Sequence, residues 1–161
     1  MCFFCTMNFE ESVKLVESTL KHLGVNPEEA RCEDQGQWLL YRDDREIYID
    51  VWNATEPETT FLFDPHLKDP VIFQVISPVG FLPDENVTAF MAELLHLNLN
   101  LQYAGFTVNE EEKIFAVKFR RTCDGLTADE IAKSIDSTGY YANLSAQIFA
   151  AKYDLKLILP E

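Results

Sequence analysis

The order of secondary-structure elements constrains this chain more than any single motif in it. Residues 84–98 are apolar-rich with helical spacing. Residues 103–109 and 113–121 alternate like strands on either side of an acidic turn, Glu110, Glu111 and Glu112, and Asp124, Gly125, Leu126 and Thr127 then open a long helix. One helix and three strands precede them, so the whole reads α-β-β-β-α-β-β-α. Strands follow one another through short turns instead of alternating with helices. That predicts an α+β fold, a twisted antiparallel sheet packed by helices. At 161 residues the chain fits one domain, residues 1–161, and can bury an adequate core without staples.

The first helix begins at Asn8, with Glu11 placed to complete a capping box. Phe9, Val13, Val16, Leu20 and Leu23 then form one stripe about 80° wide. Gly24 supplies a left-handed C-cap, and residues 26–29 start a further turn. Residues 37–41 and 46–52 form a hairpin around Asp43 and Asp44, with Leu39 facing Tyr48 and Tyr41 facing Glu46. Trp38, Leu40, Ile47, Ile49 and Val51 share the core face. Leu39, Tyr41, Tyr48, Asp50 and Trp52 share the other, which is too aromatic for a plain solvated surface. Either this second face binds a partner, or the middle loop, residues 53–70 with Phe61 and Phe63, folds over it. That loop has room for a short strand at 60–63. Residues 71–77 form the third main strand, and Pro78 ends it or marks an edge.

In the second helix, with Asp84 as its cap, Val87, Phe90, Met91, Leu94, Leu95 and Leu97 spread over about 160° of the circumference. Such an arc fits a helix enclosed by its own domain, or one that packs on the sheet with one flank and on another chain with the other. In the second case Phe90 or Leu97, whichever lies outward, is a dimer contact. The second hairpin pairs Phe106 with Phe115 and collects Ala104, Val108, Val117 and Phe119 on the same face. Thr127 and Glu130 form a capping box for the third helix. Its packing stripe is Ala128, Ile131, Ile135, Ala142, Ala146 and Phe149, with Gly139 alongside. A second stripe, Tyr141, Leu144 and Ile148 with Leu155 as an extension, lies opposite. A helix apolar on two faces touches two things. The tail, residues 155–159, is too apolar to float freely.

Formal net charge is −14, and basic residues cluster nowhere beyond Arg120 and Arg121. Nucleic acid and anionic membrane both need a basic footprint and are excluded as partners; basic proteins or peptides fit better, unless the acidity serves only to keep the chain soluble. No stretch approaches a membrane span. Cys2, Cys5, Cys32 and Cys123 are scattered. Cys2 and Cys5 have C-x-x-C spacing but no second close pair, so neither a metal site nor a disulfide framework is expected. No glycine-rich phosphate loop, G-x-S-x-G or H-E-x-x-H occurs, so no cofactor is expected. His22 and His96 end helices, and only His66 lies in a long loop. A reducing cytosol is the default compartment.

Residues 97–131 carry a resemblance. An asparagine follows the middle helix (Asn98, with Asn100), Gly105 and Phe106 open the fourth strand, a hairpin follows, and Leu126 to Glu130 begin the last helix as L-T-x-x-E. In these features the chain resembles the YbjN family, which is similar in fold to the type III secretion chaperones. The resemblance implies an α+β domain, often dimeric and without enzymatic activity, that binds protein through exposed apolar patches.

The leading expectation is therefore a non-enzymatic, cytosolic interaction module that holds a protein or peptide on an apolar surface as a homodimer. Its candidate contacts are Leu39, Tyr41, Tyr48, Trp52, Phe90, Leu97, Tyr141, Leu144 and Ile148. The alternative is a small-molecule-responsive sensory or regulatory domain, with ligand held near His66 and Cys123. An enzyme with an unfamiliar site is a weaker third.

Overall fold

A computed structural model describes residues 7–54 and 70–160. Their elements run α1 (Phe9–His22), α2 (Pro27–Ala30), β1 (Gln37–Arg42), β2 (Arg45–Asn53), β3 (Val71–Phe81), α3 (Val87–Leu97), β4 (Gly105–Asn109), β5 (Ile114–Thr122) and α4 (Ala128–Tyr153). The strands form one antiparallel sheet in the order β1-β2-β3-β5-β4. The α+β fold expected from the element order is the one observed. The short strand expected at 60–63 lies outside the described residues.

Local chemistry starts the elements where the sequence signals it. Asn8 with Glu11 and Thr127 with Glu130 form complete capping boxes, and Gly24 leaves α1 at φ +82°. In the first hairpin Asp43 takes the left-handed conformation (φ 51°), so two residues suffice for the turn. Leu39 then opposes Tyr48 and Tyr41 opposes Glu46, as expected.

Three features differ from the sequence reading. The first is the start of α3, at Val87 and not at Asp84. Asn86 is left-handed (φ 59°) and its carbonyl accepts the Phe90 N–H, so the chain changes direction just before the helix and strands Asp84 outside the first turn. Strand β3 is the second, running through Pro78 to Phe81 in the middle of the sheet. Its ladder with β2 stops at Ile76, and the register with β5 shifts between Pro78 and Gly80, so a bulge accommodates the missing donor. The third is the register of the second hairpin, where Phe106 faces Val117 and Val108 faces Phe115. A slip of two residues leaves every side chain on its expected face, which is why alternation alone did not detect it.

All three long helices pack on one face of the sheet over two adjoining cores. Helix α1 and the start of α4 cover Trp38, Ile47, Ile49, Phe73 and Val75. Helix α3 and the end of α4 enclose Val79, Phe115 and Val117. Leu23 and Ala128, assigned to the packing stripes by spacing, lie at helix ends and are exposed. Leu155 does not extend the outer stripe of α4. It is buried in the second core, because the tail folds back along β3. Phe81 N–H donates to Lys156 O at 2.9 Å, and Ile158 N–H donates to Val79 O at 3.0 Å. The buried Arg45 guanidinium donates to Ile158 O at 2.7 Å. Gly80 makes room for the tail, since a Cβ there would stand 2.9 Å from Lys156 O.

Phe90 is fully buried, edge-on to Phe115 (5.0 Å), Phe149 (5.5 Å) and Tyr153 (5.0 Å). This corrects its assignment as a candidate surface contact, because its ring is committed within the chain. Phe90→Ala should therefore cost about 3–5 kcal/mol of stability. Chemical denaturation checks this, and a loss near zero would mean that the aromatic cluster is not the anchor of α3.

Candidate functional site

Helices α3 and α4 converge on the Phe90 cluster and separate beyond it. Leu97 and Leu101 on one side then stand across a groove of about 340 Å³ from Tyr141, Leu144 and Ile148, with Phe106 and Phe149 also lining it. Four sequence-predicted contacts, Leu97, Tyr141, Leu144 and Ile148, are thus brought together. The exposed side of this helical pair remains apolar. Ile148 is 50% exposed, Leu95 70% and Leu99 77%. Leu101 and Phe106 were missed as site residues. The signal for Leu101 was the Leu-Asn-Leu-Asn-Leu alternation at 97–101, which continues beyond the helix.

The polar groups of the groove are already engaged. Ser145 Oγ donates to Ala142 O at 3.0 Å. Glu93 accepts from Lys152 Nζ at 2.7 Å and from the Tyr153 hydroxyl. Those two hydrogen bonds, the lysine's first, hold the Glu93 carboxyl below its ordinary range. No nucleophile, base and acid converge among these residues. The groove suits apolar side chains of another molecule better than it suits a reaction.

The remaining candidates lie on the opposite face of the sheet. Leu39, Tyr48, Ile76 and Lys118 form one cross-strand row, and Asp50, Gln74 and Arg120 form the next. Tyr41 is 61% exposed, whereas Leu39, Tyr48 and Trp52 are half-buried. The Tyr48 hydroxyl donates to Glu46 Oε2 at 2.7 Å, and burial with that partner pushes its pKa up to about 12. The Arg120 guanidinium sits 4.9 Å from the Trp52 ring centre. The covering loop proposed from sequence, with Phe61, Phe63 and His66, lies outside the described residues, as do Cys2 and Cys5. Cys123 belongs to the first core and its thiol is pushed up by burial, so it faces no opening. Among the described residues no helix is long and apolar enough to cross a membrane.

Asp50 gives this face a pH signature. Burial raises its carboxyl pKa, only partly offset by the Gln74 amide 3.3 Å away. A raised folded-state value means that stability is greatest below the unfolded value of about 3.9 and falls as pH rises through the folded one. Asp50→Asn should therefore raise the melting temperature at neutral pH and lose that advantage near about pH 3. Thermal melts across this range check the sign, and a variant less stable than wild type at neutral pH would contradict it.

No protein-family model matches the chain, and no curated protein matches it in sequence. The YbjN resemblance accordingly rests on residues 97–131 alone. The fold does have solved counterparts. The chain is similar to a structure of the HopA1-SchA chaperone-effector complex (TM-score 0.56, 11% identity, covering 83% of this chain and 91% of that one). It is similar to the ExsC-ExsE complex (TM-score 0.56, 10% identity, 87% and 94% covered). It is also similar to the Yersinia pestis type III secretion chaperone SycH in complex with a stable fragment of YscM2 (TM-score 0.55, 12% identity, 83% and 98% covered). These likenesses extend over most of each chain at low identity, and what they establish is an architecture: this chain has the α+β fold of type III secretion chaperones.

Proposed function

We propose that the chain is a non-enzymatic protein-interaction module with a chaperone-like or regulatory role, acting in the cytosol as a homodimer. The observation that carries this reading is the apolar surface shared by α3 and α4. Leu97 and Leu101 face Leu144 and Ile148 across an open groove, and Leu144 and Ile148 are exposed. Clustered exposed apolar side chains of this kind characterise surfaces that meet another protein. In this reading the helical face joins two copies. The aromatic sheet face, with Leu39, Tyr41, Tyr48 and Trp52, contacts a protein or peptide partner. The net charge of −14 favours a partner segment that carries basic residues. The fold supports the reading too, since similar structures include a chaperone-effector complex and a secretion chaperone bound to a fragment of another protein.

Ile148→Asp combined with Leu144→Asp tests the dimer. Both side chains are exposed, so the fold should survive with a melting temperature close to wild type. Sedimentation should show a wild-type dimer and a variant monomer at high micromolar concentration, a loss of association of about 100-fold or more. A wild type that is monomeric under those conditions removes the homodimer from the reading. Tyr48→Ser with Trp52→Ser tests the partner face. Partner capture from host lysate should fall while melting is nearly unchanged, whereas a large fall in melting temperature would make these residues core.

A further inference from the structure

Strand β4 lies at an edge of the sheet. One of its sides pairs with β5, and Asn98, just past the end of α3, meets the other. The Asn98 carboxamide reproduces what a neighbouring strand's peptide group would offer. The Phe106 N–H donates to Asn98 Oδ1 at 2.6 Å, and Asn98 Nδ2 donates to Phe106 O at 3.1 Å. Asn98 and Phe106, separate features of the sequence, are therefore one hydrogen-bonded unit. Peptide groups facing outward along an antiparallel edge recur every second residue, so Phe106 and Val108 share the outer side of this short strand. With Phe106 occupied, Val108 alone is left, and one peptide cannot begin a ladder.

We propose that Asn98 is an edge lock that keeps β4 from pairing with the β4 strand of a second copy of this chain. Unprotected edges are templates for such pairing, and this strand lacks the proline or inward-pointing charge that often guards one. The lock adjoins the helical face, since Phe106 also lines the groove, but its failure has a different signature from failure of the dimer described above.

The test is Asn98→Ala in the full chain, alone and in the Leu144→Asp, Ile148→Asp background. At low micromolar concentration, hydrogen exchange at the Phe106 amide should quicken about tenfold as its acceptor is lost. As concentration rises, exchange at Phe106 and Val108 should slow again while sedimentation shows species larger than the wild type forms. Both effects should persist in the double-Asp background. Adding Thr107→Lys, which places a cation on the edge strand, should abolish the association. Faster exchange at Phe106 with no added association up to the highest soluble concentration would overturn the proposal, leaving Asn98 as a simple loop tether. If Asn98→Ala does not fold, Asn98→Ser, whose uncharged side chain is too short to reach both Phe106 groups, is judged by the same readout.

Discussion

The close approach of α4 to the first hairpin governs how the rest of the molecule is arranged. Gly139 makes that approach possible, since a Cβ at its position would stand 2.7 Å from the tip of Ile47 and 2.8 Å from the Arg42 stem. Around this contact the hairpin grips the helix. Arg42 pairs with Asp136 and donates to its backbone carbonyl, and Asn143 Nδ2 donates to Asp43 at 3.2 Å. Ser134, Thr138, Ala142 and Ala146 continue the small, buried surface on either side. With 26 residues α4 is about 39 Å long, enough to serve both cores. Its first half closes the core beneath α1, and its second half carries Phe149 into the core beneath α3.

The apolar groove follows from that geometry. A small two-layer domain has few elements with which to cover both flanks of two helices. Helix α3 spends Phe90 and Leu94 on the core, and α4 spends Ala142, Ala146 and Phe149. Leu97 is half-buried against the second core, while Leu144 and Ile148, one step around α4, remain exposed at the groove. Their exposure is the geometric remainder of a core that is otherwise complete.

Much of this was legible in the sequence, and the parts that were not share a physical reason. Capping boxes at Asn8 and Thr127 and the pairing of Leu39 with Tyr48 depend on residues close in sequence, and those readings match the structure. The broad arc of α3 left open which side chain is committed to the core, because Phe90 is drawn inward by Phe115, Phe149 and Tyr153, far along the chain. Asn86 read as a first-turn residue of the helix capped by Asp84, although its left-handed backbone delays the start of α3 by two residues. The burial of Arg45 is equally non-local, because its carbonyl partner at Ile158 lies 113 residues along the chain. Of the candidate site, the helical half assembled as a groove. The sheet half was grouped correctly by alternation, while its cover remains outside the described residues.

The pairing of Arg45 with the tail also has a kinetic meaning. Its acceptor on Ile158 is 113 residues away, so a chain emerging from the ribosome holds Arg45 without that partner until synthesis has passed this residue. Without it the buried guanidinium keeps only the longer bond to Val79 O at 3.3 Å, so the centre of the sheet is less well satisfied until the tail is made. Contacts of such long range slow folding as well. A nascent chain stalled before the tail would present β3 beyond Ile76 with its β2-side edge unfilled. The centre of this sheet is therefore completed only once the segment around Ile158 is available to it.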